Sequence, residues 1–554
     1  MKYHVILALS LVVTQVSATV GTGKRGIVAA SQADATRAGI NAMKAGGNAV
    51  DAAVAVGMTL SVTDSHNSGI GGGCFMLIRL ANGKFHAIDG REMAPAKATR
   101  DMFLRDGKAV PDLSKTGALA SGVPGALAAY AHASKEFGKL ELADVVLPAA
   151  KLAREGFPID AKYARRVPPV ANKLRKFPQS AAIFLPDSKP PVKGQVLIQT
   201  HLAETIEQIA RHGSDWFYKG PFAKRTEKWM KANGGLMTAG DFANYKLRFR
   251  RPVKGNYHGH EIVSFPPPSS GGVHVVQILN ILEALGLNLA SAQPAQREHY
   301  IAEAMKLAFA DRAHWLGDPD YADVPLGLID KSYAHGLASR IKRDQVIKVR
   351  EHGNPPGALD RLFEKHTTHF CTADAEGNWV SCTATINTGF GSGVVIPGTG
   401  VIMNNEMDDF SAQPGAPNAF GLIGAEANAV EPGKRPLSSM SPTIVLKDGE
   451  PVLALGGAGG PTIITQTAQH ILNVLDLGMS IDEAIAAPRI HHQWVPDQLR
   501  VEKRIDAKTL SGLKEFGHKI RNSSTIGVSQ IISHSKEGFS GVADPRSSGI
   551  ALGY

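Results

Sequence analysis

The stretch His366-Thr367-Thr368-His369-Phe370-Cys371-Thr372-Ala373-Asp374 decides how the sequence is interpreted. Its threonines and apolar residues predict a strand over 368–374, and the turn at 375–378 leads into a second predicted strand over 379–385. A Thr-Thr pair at the start of a strand is ordinary by itself, because threonine is a good strand former. What the pair means depends on the motifs around it.

The same hairpin brings two of the three cysteines close together. If residues 375–378 form a four-residue turn, Asp374 pairs with Trp379 and Cys371 lies opposite Cys382. Directly opposed residues have Cα atoms about 4.5–5.5 Å apart, within reach of a disulfide. A Cys371–Cys382 disulfide is therefore a hypothesis, and a pair of small buried thiols is the alternative.

The composition indicates a globular protein. The chain has 554 residues, of which 43% are hydrophobic and 20% charged, and three cysteines are too few for a disulfide scaffold. The net charge of +10 could suggest a nucleic-acid partner, but both signs are interspersed and no run of lysine or arginine exceeds two residues. We therefore interpret the excess as solvation and expect no nucleic-acid partner.

The first eighteen residues have the pattern of a signal peptide. Lys2 provides a positive charge, residues 5–13 are apolar except for Ser10, and Ala18 is a small residue suited to cleavage. An apolar run of this length is far shorter than the ~20 residues that a helix needs to cross a bilayer. We expect removal of residues 1–18, no membrane span, and a periplasmic or secreted protein.

Seven motifs resemble, in their order along the chain, those of the γ-glutamyltranspeptidases. The resemblance covers nearly the whole sequence after the signal peptide. The motifs are Asp89-Gly90-Arg91-Glu92-Met93-Ala94-Pro95-Ala96, residues 266–272, residues 383–391, Asn404-Asn405-Glu406-Met407-Asp408-Asp409-Phe410, Lys434-Arg435-Pro436-Leu437-Ser438-Ser439-Met440-Ser441-Pro442, residues 456–460 and Asp544-Pro545-Arg546.

The resemblance implies an α/β fold of the N-terminal-nucleophile hydrolase type, an αββα sandwich made as one precursor that cuts itself before a threonine. The cut would fall between His366 and Thr367, giving a large subunit of residues 19–366 and a small subunit of residues 367–554. Residues 1–366 carry a net charge of +15 and residues 367–554 a net charge of −5. Opposite net charges favour continued association of the two pieces.

The resemblance also implies the catalytic groups. A threonine hydroxyl is a poor nucleophile, but the α-amino group freed at Thr367, with a reference pKa of about 7.7–8, can act as its general base. Thr385 is the candidate that assists the Thr367 hydroxyl. Gly459 and Gly460 would let backbone N–H groups approach a reacting carbonyl and form an oxyanion hole, although the glycines could equally form a simple turn.

Substrate recognition follows from the chemistry of a γ-glutamyl group, which carries a carboxylate and an ammonium on one carbon. The resemblance assigns the carboxylate to Arg91, Ser438, Ser439 and Asn387. It assigns the ammonium to Glu406 and Asp409. The position of Glu406 is glutamine in some bacterial relatives, so this pocket carries an additional negative charge.

One departure from the family pattern concerns the loop over the pocket. Residues 414–425 have the length and composition of the lid of some bacterial members, but the gating tyrosine of those enzymes is Phe420 here. Phenylalanine cannot donate a hydrogen bond to Asn387. We therefore hypothesise a looser lid.

The resulting prediction is a self-processing γ-glutamyltransferase and glutathione hydrolase that needs neither cofactor nor metal. It would form an ester on Thr367 and pass the γ-glutamyl group to water or to amino acid or peptide acceptors. Two alternatives remain open. A cephalosporin or glutaryl acylase shares the fold and the nucleophile but needs no ammonium site, and a non-catalytic periplasmic binding protein would keep the pocket without cutting itself.

Overall fold

The structure is a computed structural model that describes residues 19–356, 368–411 and 426–554. The predicted signal peptide, the predicted cleavage site at His366 and Thr367, and the lid residue Phe420 lie outside the described residues. Within those ranges, helices of membrane-spanning length and apolarity are absent.

Two seven-stranded sheets organise the chain. Every strand pair in both sheets is antiparallel. In spatial order the first sheet consists of Ile550–Gly553, Gly26–Ala30, Thr368–Asp374, Trp379–Thr385, Gly73–Arg79, Phe85–Gly90 and Arg248–Arg250, and the second of Val20–Gly23, Gly538–Ala543, Val528–Ser535, Glu450–Ala458, Thr443–Lys447, His260–Ser264 and Val253–Tyr257. Three smaller sheets contain Leu104–Arg105 with Lys108–Ala109, Phe157–Pro158 with Val196–Leu197, and Ile490–His491 with Leu499–Glu502 and Ile520–Ser523.

The two large sheets pack face to face. Alternate strand residues meet in a core between them, where Phe75 and Cys371 of the first sheet lie with Val263 and Ile444 of the second. The ring of Phe75 stacks on that of Phe265 with centroids 4.3 Å apart. Side chains alternate along a strand, so each sheet also has an outer face. These outer faces are apolar as well and must be covered by other elements.

Helices cover both outer faces. The first sheet is covered by helices from the first half of the chain, and the second by helices that include Gly271–Ala284, Pro294–Trp315 and Thr462–Leu475. The predicted αββα sandwich is thereby confirmed. The remaining α-helices are Ala33–Lys44, Ala49–Thr63, Pro111–Lys115, Ala126–Phe137, Leu142–Glu155, Ala161–Arg166, Ala171–Arg175, Pro178–Phe184, Thr200–His212, Asp215–Tyr218, Pro221–Ala232, Ala239–Ala243, Lys331–Ala338, Ile481–Ala486 and Ala507–Glu515.

The first sheet joins segments from both sides of the predicted cleavage site. Thr368–Asp374 pairs on one edge with Gly26–Ala30 and on the other with Trp379–Thr385, which in turn pairs with Gly73–Arg79. The C-terminal strand Ile550–Gly553 adds to the outer side of Gly26–Ala30. Strands that begin after residue 366 therefore lie between strands that precede it.

The predicted hairpin strands over 368–374 and 379–385 have the bounds that the sequence indicates, but the predicted register is wrong by one residue. Ala373 pairs with Trp379, so Cys371 faces Ser381 and Phe370 faces Cys382. The cause is Asp374, whose Oδ1 accepts from the backbone N–H groups of Glu376 at 2.9 Å and Asn378 at 3.1 Å. These bonds shorten the connection to residues 375–377.

The corrected register rules out the Cys371–Cys382 disulfide. Cys371 lies in the core between the two sheets, whereas Cys382 points to the helical layer on the opposite face. All three cysteines are buried free thiols. A thiol titration of the denatured, unreduced protein is therefore expected to find three free thiols per chain, and a count of one would contradict the structure.

Candidate active site

The start of the hairpin places two threonine positions side by side. Thr368 begins its strand and pairs with Ala384, and Thr385 ends the neighbouring strand. The Oγ1 atom of Thr385 accepts a hydrogen bond of 2.8 Å from the backbone N–H of Asn387. The predicted nucleophile Thr367 is outside the described residues, but both neighbours that would hold it are ordered by strand pairing.

A buried carboxylate anchors the residue that follows the predicted nucleophile. The hydroxyl of Thr368 donates to Oδ2 of Asp64 at 2.7 Å, and Ser31 donates to the same oxygen at 3.2 Å. Asn67 donates to Oδ1 at 3.0 Å, and His66 lies 3.3 Å from that oxygen. Burial lowers the pKa of His66, which disfavours its charged form. The group fixes the direction in which the chain enters the strand.

Arg91 lies at the centre of the predicted substrate-binding residues. It follows the strand Phe85–Gly90, is completely buried, and donates Nη1 to Glu406 and Nη2 to Asp409. It also donates Nε to the carbonyl of Pro436 at 3.0 Å and Nη2 to that of Leu437 at 3.1 Å. The two carboxylates predicted to bind the ammonium are therefore held by the arginine predicted to bind the carboxylate.

Asn387 connects this cluster to the end of the hairpin. Its backbone is left-handed, with φ of 74°, and its Nδ2 donates to the carbonyl of Asn405 at 2.8 Å and to Oδ1 of Asp409 at 2.9 Å. Oδ1 of Asn387, Oε2 of Glu406 and Oε1 of Glu92 are buried and lack a donor within the described part of the chain. Buried acceptors without a donor are costly, so the cluster favours a ligand that donates hydrogen bonds.

The net charge of the cluster also favours a ligand that donates hydrogen bonds. Glu92 is fully buried 3.4 Å from Nη1 of Arg91, and burial followed by the charge of Glu406 raises the pKa of Glu92 well above its usual range. A protonated Glu92 donates its proton to Glu406 in a hydrogen bond and leaves the single positive charge of Arg91 against the negative charges of Glu406 and Asp409. A cationic group would balance the remaining negative charge.

The two predicted serines lie beside Arg91 but already have partners. Oγ of Ser438 accepts from the backbone N–H of Met440 at 3.1 Å, and Oγ of Ser439 accepts from Nη2 of Arg312 at 3.0 Å. Arg312 is buried and also donates Nε to Ser270 at 2.9 Å. The structure therefore adds a second buried arginine next to the residues predicted to bind the substrate carboxylate.

The predicted oxyanion glycines lie between the end of a central strand and the start of the helix Thr462–Leu475. Gly459 and Gly460 follow the strand Glu450–Ala458, and both have positive φ, of 131° and 65°. A Cβ atom on Gly459 would lie 2.5 Å from Oγ1 of Thr462 and 2.8 Å from Cα of Gly527. Gly459 lines a cavity of about 440 Å³ together with Thr368 and Asn387. This geometry brings the glycine loop and the hairpin start to one space.

Replacement of Gly459 by alanine is expected to lower activity by about 100-fold or more, because the strained and crowded residue shifts the backbone N–H groups of the loop. Gly449→Ala is the matched control, since Gly449 also has positive φ, of 86°, but nothing lies within 4 Å of its added Cβ. Steady-state kinetics and a melting curve check both variants. Equal activity of the two would contradict an oxyanion role.

Three residues of this region were not predicted from the sequence. They are Asp64, Glu92 and Arg312. Asp64 offered a usable signal, because it begins the polar run 64–68 directly after a helix that is mostly apolar. Glu92 directly follows Arg91 within the motif 89–96, whereas nothing local distinguishes Arg312 within its helix.

One group of described residues has the composition of a metal site, but it is internally neutralised. His299, Glu303 and His518 lie close together and are buried. Nδ1 of His299 is 2.8 Å from Nε2 of His518, and the ammonium of Lys306 is 2.8 Å from Oε1 of Glu303. The lysine takes the position that a cation would need, so we interpret the group as a hydrogen-bonded structural network.

Comparison with known proteins places these features in one family. The family model described as Gamma-glutamyltranspeptidase matches residues 35–554. The glutathione hydrolase proenzyme of Escherichia coli (strain K12) is 47% identical over 537 residues, which cover 96% of this chain and 92% of that protein.

Two solved structures of similar fold match this chain. A cephalosporin acylase from Bacillus halodurans has a TM-score of 0.89 at 29% identity and covers 99% of both chains. The γ-glutamyltranspeptidase of Helicobacter pylori has a TM-score of 0.56 at 40% identity, covering 59% of this chain and 94% of that one.

The facing sheets, the buried arginine–carboxylate cluster and the glycine loop define an N-terminal-nucleophile hydrolase. Within that class, the chain belongs to the γ-glutamyltranspeptidase family. The resemblance drawn from the motifs is thereby confirmed, and so is the prediction of an enzyme over that of a non-catalytic binding protein.

Proposed function

We propose that this protein cuts itself between His366 and Thr367 and that Thr367 then transfers γ-glutamyl groups to water or to amino acid or peptide acceptors, with glutathione as a donor. The observation that carries the proposal is the buried cluster of Arg91, Glu406, Asp409 and Asn387. It combines a cation, excess negative charge and acceptors without donors, the set of groups that an α-amino acid end requires.

In the cutting step, the Thr367 hydroxyl oxygen attacks the carbonyl carbon of His366. The oxygen's proton passes to the departing nitrogen, the C–N bond breaks and an ester forms, which water then hydrolyses. Thr385 lies at the end of the neighbouring strand and assists by hydrogen bonding. The step yields pieces 19–366 and 367–554. The fact that the Helicobacter pylori chain is covered to 94% while matching only 59% of this chain supports a division of this kind.

In the transfer step, the new α-amino group of Thr367 takes the proton from the hydroxyl as the oxygen attacks the donor's γ-carbonyl carbon. The proton then passes to the departing amine, such as cysteinylglycine. Backbone N–H groups at Gly459 and Gly460 stabilise the negative oxygen of both tetrahedral intermediates. Water or an acceptor amine resolves the γ-glutamyl ester in the reverse sequence.

The donor's charged end determines specificity. Its carboxylate binds Ser438, Ser439 and Arg91, close to the second buried cation of Arg312. In doing so it displaces Arg91 from part of its contacts with Glu406 and Asp409, which frees those two carboxylates for the ammonium. The donor's ammonium binds Glu406 and Asp409 and satisfies acceptor oxygens that have no donor among the described residues. A glutaryl group carries no ammonium, so it would leave the excess negative charge of Glu406 and Asp409 over Arg91 unbalanced.

The test compares a γ-glutamyl anilide with the matching glutaryl anilide, which differs only by the α-amino group. We expect kcat/KM for the γ-glutamyl compound to be at least about 100-fold higher, because the missing contact is a buried, charged one. A preference for the glutaryl compound would favour the acylase alternative. Turnover of neither compound by the cut protein would refute the proposal.

We also propose export, to the periplasm or the medium, after removal of residues 1–18. The support is the short apolar run bounded by Lys2 and Ala18. N-terminal sequencing of the longer piece from the native host tests it, with a start near Thr19 expected. A piece that retains residues 1–18 would contradict export by this route.

A further inference from the structure

The loop 387–393, which carries Asn387, has an unusual backbone. Its residues Asn387 and Phe390 have φ of 74° and 59°, and Gly391 and Gly393 have φ of 49° and 80°. Left-handed conformations at residues other than glycine persist only where the surroundings hold them in place. Asn387, Thr388 and Gly389 also line the cavity at the hairpin start.

Most of the restraints on this loop come from neighbouring loops. The backbone N–H of Thr388 donates to Oδ1 of Asn405 at 3.0 Å, and that of Phe390 donates to the carbonyl of His66 at 3.0 Å. The ring of Phe390 packs edge-on against Phe184, with centroids 4.9 Å apart. None of these contacts satisfies the carbonyl oxygen of Gly389, and that of Gly391 receives only a long hydrogen bond of 3.5 Å from Oγ1 of Thr388.

Lys173 binds both of those oxygens from the other side of the proposed cut. It lies on the helix Ala171–Arg175, and its Nζ donates to the carbonyl of Gly389 at 2.8 Å and to that of Gly391 at 2.6 Å. Its stem crosses Gly393, where a Cβ atom would lie 2.8 Å from Cγ of Lys173. Ser180 extends the contact by donating to the carbonyl of Gly393 at 2.6 Å.

The environment of Lys173 differs from that of an ordinary surface lysine. Burial lowers its pKa to about 8, and no carboxylate among the described residues forms an ion pair with it. A partly buried ammonium whose only partners are backbone carbonyls incurs a desolvation cost that a solvated lysine would not. Both hydrogen bonds of its ammonium go to the loop that presents Asn387.

We infer that Lys173 is a positioning residue for the γ-glutamyl donor: it holds the carbonyls of Gly389 and Gly391 and so keeps the side chain of Asn387 against Asp409. The inference rests on the proposed function. Without the clamp, the strained loop relaxes and the amide of Asn387 no longer lies 2.9 Å from Oδ1 of Asp409. The donor site loses its order, while the glycine loop and the paired strands that carry Thr368 and Thr385 stay in place.

The experiment compares Lys173→Met with wild type on a γ-glutamyl anilide. Methionine keeps the apolar stem and removes both hydrogen bonds, so KM for the donor is expected to rise about 10- to 100-fold while kcat stays within about threefold. Lys173→Arg, which keeps a cation, is expected to have a KM within about threefold of that of wild type. Lys176→Met is the matched control, because Lys176 is exposed one residue beyond the same helix, and its KM should equal that of wild type.

A double-mutant cycle separates positioning from a general structural role. In an Asn387→Ala background the further replacement of Lys173 by methionine should leave KM unchanged within about twofold, because Lys173 acts through Asn387. An undiminished effect in that background would overturn the inference. If Lys173→Met yields no folded protein, Lys173→Gln, which keeps one donor group, should give an intermediate KM, and an unchanged KM would overturn the inference.

The activity of the wild type distinguishes a failure of the proposed function from a failure of the role of Lys173. A wild-type protein that does not turn over the γ-glutamyl anilide refutes the proposed function and, with it, the role of Lys173. Turnover by wild type with an equal KM in Lys173→Met refutes the role of Lys173 alone.

Discussion

Thr367→Ala is expected to remain a single chain and to lose transfer activity by about 10⁴-fold or more, because the one residue supplies both the nucleophile and, once freed, the base. Wild type should instead give pieces of roughly 37 and 20 kDa, at the mean residue mass of a 58.7 kDa chain of 554 residues. Denaturing electrophoresis with intact-mass measurement checks both, and the smaller piece should begin at Thr367.

Two further variants make this result specific. Thr367→Ser keeps a hydroxyl and an α-amino group and should still be cut, more slowly. Thr368→Ser keeps the hydroxyl that donates to Asp64 and should be cut like wild type. Cutting of Thr367→Ala at the same bond would show that another group performs the attack, and the role of Thr367 would have to be abandoned.

Asp409→Asn is expected to lower kcat/KM for a γ-glutamyl donor by about 100-fold or more. Both oxygens of Asp409 accept hydrogen bonds, Oδ2 from Arg91 and Oδ1 from Asn387. An amide has only one oxygen, so it cannot satisfy both donors and also removes the charge that attracts the ammonium. Kinetics on the γ-glutamyl anilide, with melting curves to exclude unfolding, measure the effect.

Glu406→Gln is the matched control for this change. Only one oxygen of Glu406 is engaged, by Arg91, whereas the other has no donor within the described residues. A glutamine carbonyl can replace the engaged oxygen, but its amide nitrogen then lies where Oε2 would accept from the ammonium. We therefore expect a loss of about tenfold, smaller than that of Asp409→Asn. Equal losses in the two variants would indicate that total charge, and not the pairing of Asp409, governs donor binding.

The sequence predicted much of the fold near the site, because local preferences and tertiary structure agree there. The strands 368–374 and 379–385 have the predicted bounds. The predicted register between the two strands was wrong, because the register depends on how the side chain of Asp374 closes the turn. Such a contact is not visible in strand propensity.

The residues of the candidate site were likewise predicted only in part. Motif resemblance selected Arg91, Glu406 and Asp409 together, and the structure brings them into contact. It did not reveal that the arginine and the carboxylates bind one another, because a resemblance assigns roles to residues one at a time. Arg312 and Lys173 were missed because each acts across a large separation in sequence, on Ser439 and on Gly389.

The interleaving of strands in the first sheet has a consequence for the assembled enzyme. Thr368–Asp374 and Trp379–Thr385 lie between Gly26–Ala30 and Gly73–Arg79. Removing either proposed piece would leave unpaired strand edges and open both apolar cores to water. Dilution should therefore not dissociate the pieces, labelled and unlabelled molecules should not exchange them, and halves expressed separately should aggregate. The peptide bond at 366 is then needed for folding but not for holding the finished enzyme together.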